Sequence, residues 1–247
     1  VAGNRKMHGS LTGNPELQPE AADTFSVGAI FNFYWFRGSF DYWGFDFENP
    51  IVAEPVSGIV NAVFPTGLPN NCANPDYAGL VARFTFTGGV CSLANISRLQ
   101  TFYVNGSPVT TKGFDFLGEA KLGEAMDGDL SVGGSVTYVQ EYYVDAASIE
   151  GIAAAPGFEA AGFLNYQTTA YPIPKWKGAA YVEYETSMHD VRLTLNYVDS
   201  YVDSRSIFGT NPRGQVIDEF ITLDVTYRLM LMEDMAVLVA VDNVFDE

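Results

Sequence analysis

Two cysteines, two histidines and a few carboxylate pairs are the residues with which this chain could do chemistry. Cys72 and Cys91 both fall in one long segment rich in Asn, Pro and Gly. A loop disulfide closed in an oxidising compartment is the favoured reading, with two free thiols or half of a metal site as the alternatives. Neither His8 nor His189 is near them in sequence. Glu183 and Glu185 are two residues apart, so on a strand they share a face and could act together on a cation or a proton. Asp199 and Asp203 are a further carboxylate pair. A solvated polar face is the simpler reading of both pairs and is preferred. No Gly-x-Ser-x-Gly elbow, glycine-rich phosphate loop, His-Glu-x-x-His or Cys-x-x-Cys occurs. The chain is therefore not expected to be an enzyme, and neither a catalytic residue, a metal site nor a cofactor is assigned.

Composition narrows the class. The 247 residues are 47% hydrophobic and 14% aromatic, with 18 Phe, 14 Tyr and 24 Gly, enough for one large β domain or a section of one. Only 17% are charged, yet no run approaches the ~18 consecutive apolar residues of a membrane-spanning helix, so a membrane role would have to be a barrel's. A mean hydropathy of +0.04 fits that, because every second residue of a barrel strand faces a polar lumen. Thirteen basic against thirty acidic residues give a formal charge of −17, which argues against a nucleic-acid partner. The acidity itself reads as solvated loop and lumen surface.

Strand periodicity then organises the chain. Residues 22–35 alternate, with Phe25, Val27, Ala29, Phe31, Phe33 and Trp35 on one face. A tight connection at 36–38 leads to a second aromatic strand, about 39–49. An irregular stretch, about 50–97, holds both cysteines. The third strand, about 98–123, is expected to carry a bulge at 105–109, where Gly106 and Pro108 would break its ladder. After a turn at 124–128, residues 129–145 place Leu130, Val132, Val136, Tyr138, Tyr142 and Val144 on one face. A second long loop covers about 146–174, and strands follow at about 176–188, 190–203, 217–231 and 235–245. The last long loop is about 204–216.

The eight strands are thus joined alternately by short and long connections, as short periplasmic turns and long outer loops join a transmembrane barrel. Each is also long enough for the ~9–11 residues that cross a bilayer at a tilt. Trp35, Phe33, Tyr138, Tyr142, Trp176, Tyr197 and Tyr201 lie towards strand ends and would serve as interface girdles. The alternative, a soluble β protein, would use them as core.

Four words carry a family resemblance. Gly13-Asn14-Pro15-Glu16-Leu17-Gln18-Pro19-Glu20 resembles the segment that leads into a descending barrel strand of TonB-dependent outer-membrane receptors. Tyr103-Val104-Asn105 followed by Lys112-Gly113-Phe114-Asp115 resembles that family's Asn-to-Gly-Phe-Asp strand. Pro172-Ile173-Pro174-Lys175-Trp176-Lys177 resembles a proline-containing lead-in to a later strand, and Val241-Asp242-Asn243-Val244-Phe245-Asp246-Glu247 resembles its penultimate-strand words. They stand in the family's order over residues 13–247.

The resemblance implies an all-β fold. The eight strands would be the fourteenth to twenty-first of a 22-stranded antiparallel transmembrane barrel, one partial barrel domain over 1–247 that forms a curved open sheet as a fragment. Plug, energy-coupling box and final strand would lie outside this sequence. It further implies the bacterial outer membrane, active import of a scarce nutrient (an iron-siderophore, a cobalamin-like cofactor or an oligosaccharide), and a TonB-type energy-coupling partner reached through the plug. Outer-membrane lipid and a small-molecule or glycan ligand complete the implied partners. Ligand contacts would come from loops, with Asn70, Asn71, Asp76, Tyr77 and Arg83 in the first long loop and Phe158, Asn165 and Tyr166 in the second. A passive porin is the runner-up, and a secreted soluble β-sheet binding protein, adhesin or carbohydrate-active enzyme the third reading.

Overall fold

The computed structural model describes residues 8–164, 172–203 and 214–245. Its main sheet contains eight long strands: β1 (Ala21–Asn32), β2 (Phe36–Glu48), β3 (Val109–Ala125), β4 (Gly128–Val144), β5 (Trp176–Glu185), β6 (His189–Val198), β7 (Phe220–Met232) and β8 (Met235–Val241). Every strand pairs with its neighbours in the chain, and β1 and β8 are the two edges, so the sheet is an open meander. The expected eight strands and the alternation of tight and long connections are both borne out. Strands meet through 33–35, 126–127, 186–188 and 233–234, and through the long segments 49–108, 145–175 and 199–219. No helix among the described residues is long and apolar enough to cross a membrane, which leaves crossing by strands open.

The turn expected at 124–128 is found at the centre of that span, whereas the first reversal falls at 33–35 and not at 36–38. Met126 and Asp127 both adopt positive φ, 47° and 66°, the conformation of a two-residue hairpin whose twist matches that of its strands. Asp tolerates this region, whereas Met is a poor turn former, so the sequence marks the turn region but not the two residues that reverse the chain. The neighbouring strand supports it: the Tyr184 hydroxyl donates to the Met126 carbonyl at 2.7 Å. Its ring lies over Gly128, where a Cβ would approach it to 2.6 Å, so only glycine fits there.

The third strand requires correction. Residues 98–123 are not one bulged strand: Ile96–Asn105 and β3 belong to different sheets, separated by Gly106-Ser107-Pro108. Pro108 lacks the N–H a continuous ladder needs. Nor is 50–97 irregular. It forms helices α1 (Val56–Val63) and α2 (Ala78–Ala82) and short strands Ile51–Ala53 and Phe84–Phe86. The α1 signal was present in Val56, Ile59, Val60 and Val63, spaced i, i+3, i+4 and i+7 behind Pro55.

The chain divides into two compact units. One contains residues 8–23, 46–110 and 143–158, and the other 24–45, 111–142 and the described part of 159–245. The first, the loop unit, centres on Ile96–Asn105, which pairs in parallel with His8–Thr12 and antiparallel with Ile51–Ala53 and Phe84–Phe86. Ile59, Val63, Leu80 and Leu99 are fully buried there, with Phe64, Phe84 and Ile149 around them. The second, the sheet unit, is built otherwise. Its buried apolar side chains among the described residues are those of Ala160, Ala161, Leu164 and Pro174, while all of β1 and β8 are exposed. Long apolar strands without a second layer need another apolar medium to cover them.

Candidate functional site

Strand register sorts the sheet unit into two faces of opposite chemistry. Directly opposed residues share a face, so Leu130, Val132 and Val136 of β4 align with Tyr184, Val182 and Gly178 of β5. These continue into Val191, Leu193 and Tyr197 of β6 and then Tyr227, Val225 and Ile221 of β7. The face ends on β8 with Val239 opposite Tyr227 and Val241 opposite Val225. Leu193, Leu195, Val182, Val239 and Val241 are each more than 40% exposed, so the face is apolar and bare.

A row of rings crosses that face. Phe25 packs on Tyr42 at 5.6 Å between centroids, Tyr42 on Phe114 at 4.8 Å, Phe114 on Tyr138 at 6.4 Å and Tyr138 on Trp176 at 4.3 Å. The five rings come from five consecutive strands; Phe114, Tyr138 and Trp176 lie in the half of their strands that meets the long connections, and Tyr42 is at the middle of β2. Such a level band is what amphipathic rings form at a membrane–water boundary. Tyr138 and Trp176 were expected in a girdle; Phe25, Tyr42 and Phe114 join them through cross-strand register, which the sequence does not display.

The opposite face is ionic. Arg192 of β6 makes two hydrogen bonds to Glu183 of β5, at 3.1 and 3.0 Å, and lies over the Tyr181 ring at 4.3 Å. The Tyr181 hydroxyl donates to Glu119 of β3, whose other carboxylate oxygen accepts from Arg37 of β2, both at 3.2 Å. Arg228 of β7 reaches Glu185 at 3.1 Å and Asp190 at 3.0 Å. Asn196 donates to Asp224 at 2.6 Å. Glu183 and Glu185 thus do share a face, but each carboxylate is neutralised by its own arginine. Isolated general-base chemistry is not what this arrangement offers. It is a polar wall with compensated charge. Asp199 accepts from the Tyr197 hydroxyl at 3.1 Å, a local contact on one strand end.

In the loop unit, the candidates of the first long loop separate. Cys72 and Cys91 are joined, with an S–S distance of 2.04 Å. Asn70, Asn71 and Tyr77 line one open groove with Asn61, Pro65, Leu68 and Pro69. Asp76 is exposed, and its backbone N–H is taken by the Asn74 side chain at 3.1 Å. Arg83 is turned to the interior: it donates to both oxygens of Glu54 at 2.8 Å and to Glu150 at 2.6 Å, with its guanidinium over Phe102. Burial pulls the Arg83 pKa down, yet the hydrogen bonds and charges of Glu54 and Glu150 outweigh it and hold the group above its ordinary value. Phe158 is half-buried in the two-residue strand Phe158–Glu159. Asn165 and Tyr166 lie outside the described residues. No group of three or more His, Cys, Asp and Glu able to hold a metal occurs among the described residues.

Sequence reasoning missed Asn105 as an organiser. Its side chain accepts from the Gln18 N–H at 2.8 Å and donates to the carbonyls of Gln18 at 2.8 Å and Asn49 at 3.0 Å. The Asn-Pro-x-Leu-x-Pro-Glu segment is thereby tied to the strand that ends at Asn105. The clue was the pairing of two family words 87 residues apart.

Comparisons with known proteins agree with this geometry. The family model for TonB dependent receptor-like, beta-barrel matches residues 7–244. No curated protein sequence matches the chain. Among solved structures, a ferric enterobactin receptor mutant of Pseudomonas aeruginosa superposes with a TM-score of 0.58 at 13% identity, over 96% of this chain and 27% of that one. The siderophore receptor PirA of Acinetobacter baumannii gives 0.57 at 14%, over 96% and 29%. The FrpB iron transporter of Neisseria meningitidis gives 0.54 at 12%, over 97% and 28%. The chain therefore spans under a third of the length of these structures, and at such identities the likeness is one of fold. With nearly its whole length matched, the chain belongs to the TonB-dependent receptor-like β-barrel family.

Proposed function

We propose that this chain is part of an outer-membrane active transporter, which binds a scarce nutrient outside the cell and imports it with TonB-coupled energy. The observation that carries this is the two-faced sheet: one face of bare Leu, Val and aromatic side chains with a level ring band, the other of paired charges. Lipid covers the first, and a water-filled or plugged lumen meets the second. The remaining strands and a plug that engages the energy-coupling partner belong to the longer protein. Structural relatives are described as siderophore receptors and an iron transporter; for this chain the cargo is an iron chelate, a cobalamin-like cofactor or an oligosaccharide. The loop unit supplies the first contacts with that cargo.

The test is uptake by cells carrying the full-length protein, with and without a working energy-coupling partner. Labelled ferric chelates, cobalamin and neutral oligosaccharides serve as cargo. Accumulation of one cargo that stops when the partner is deleted supports active transport. Accumulation that persists without the partner instead identifies a passive channel.

A further inference from the structure

The loop unit contains an uncharged groove that combines apolar rings with side-chain amides. Asn61, Pro65, Leu68, Pro69, Asn70 and Tyr77 form its principal walls, around a volume of ≈ 510 Å³. No charged side chain lines it. Two proline rings, a leucine and a tyrosine ring supply apolar walls, and two amides supply both donors and acceptors. The Asn61 amide has no hydrogen-bond partner among the described residues, and Asn70 uses only its oxygen, which accepts from the Cys72 N–H at 3.1 Å.

The walls are also held in place before any ligand arrives. The Asn71 side chain donates to the Ala62 carbonyl at 2.7 Å, and its N–H donates to the Val63 carbonyl at 2.8 Å, tying the segment to the end of α1. The chain then turns back through Asn74 N–H to Asn71 and Tyr77 N–H to Asn74, both at 3.1 Å. The Cys72–Cys91 bond anchors it from the other side. A pre-formed wall avoids the ordering cost that a loose loop would impose on binding.

We infer that this groove is a subsite for a neutral, ring-shaped, polyhydroxylated ligand, a sugar unit of an oligosaccharide or glycan. Its hydroxyls meet the Asn61 and Asn70 amides, and its C–H face lies on Leu68, Pro65 and the Tyr77 ring. An anionic chelate finds no cation here, since Arg83, the arginine of this loop, is held by Glu54 and Glu150. The inference rests on the loop unit facing the medium, as the proposed function has it.

Calorimetric titration of the full-length receptor in detergent with maltotriose and with cellotriose tests it. Asn61→Ala and Leu68→Ala are the variants, because both side chains are exposed and neither supports the core. The expected result is binding of at least one trisaccharide, about tenfold weaker in each variant. Equal affinity in both variants, or no binding of either sugar, overturns the subsite. A parallel uptake assay separates the two readings. Partner-dependent uptake of a ferric chelate without sugar binding sinks the groove and leaves the transporter standing; sugar binding without any partner-dependent uptake does the reverse.

Discussion

Glu54 and Arg83 form a closed pair, with Arg83 Nη1 2.8 Å from each carboxylate oxygen and Glu54 only 4% exposed. Glu54 also accepts from the Phe102 N–H at 2.9 Å, so the pair ties Ile51–Ala53, α2 and Ile96–Asn105 together at one point. Arg83→Ala leaves that carboxylate buried without its cation, and the loop unit is expected to lose about 3–5 kcal/mol. Arg83→Lys recovers only part, since one ammonium cannot reproduce the fork. Hydrogen exchange of residues 51–54 and 98–103 measures it; unchanged protection in Arg83→Ala would show that the pair does not hold the unit.

Alkali should not loosen this contact. The Arg83 pKa is raised by folding, so its contribution is complete below the unfolded value and declines only as pH rises through the folded one. Both lie far above neutral pH. The same exchange protection is expected at about pH 7 and about pH 10, after correction for the intrinsic rate. Loss of protection at the higher pH would mean that another group governs the unit.

The two faces of β6 make the membrane assignment testable. Leu193 is opposite Val182 and Val225, while Thr194 is opposite Tyr181 and Asp224. Leu193→Arg places a cation in lipid and should cost about 2–4 kcal/mol, whereas Thr194→Arg enters the charged wall at about 1 kcal/mol or less. Urea unfolding of the full-length protein refolded in vesicles reads the difference. Equal costs would contradict the assignment of the faces.

Met126 holds a left-handed backbone that costs a side-chain-bearing residue about 1 kcal/mol. Met126→Gly keeps the carbonyl that Tyr184 binds and removes that cost, so stability is expected to rise by about 0.5–1 kcal/mol, read from the unfolding midpoint. A fall would mean that the methionine side chain, 90% exposed here, is needed elsewhere.

Joining Cys72 to Cys91 closes a loop over a sequence separation of 19. Replacing both by Ser frees the unfolded chain, and a loss of about 3 kcal/mol in the loop unit follows from loop entropy. Limited proteolysis should then cut within residues 65–92 while the sheet strands stay resistant. Identical digestion patterns would show that the hydrogen bonds of Asn71 suffice.

Much of the barrel segment was legible because its grammar is local. Alternation in Leu130, Val132 and Val136, or in Leu193, Leu195 and Tyr197, follows directly from the two-residue period of a strand. The short and long spacing of those runs then carried the topology. The loop unit was harder to read. Its strand Ile96–Asn105 looks in sequence like the start of β3, and Gly106 and Pro108 alone hint otherwise.

What the sequence by itself determined was therefore the all-β class, the eight strands of the main sheet, their order and their apolar faces, since period and turn spacing are properties of neighbours in the chain. Tertiary structure alone decided which strand leaves the sheet, that Arg83 turns inward to Glu54, that Asn105 ties down Gln18, and that five rings from five strands form one row. Those depend on register and packing between residues tens of positions apart, and no local preference of either partner encodes the meeting.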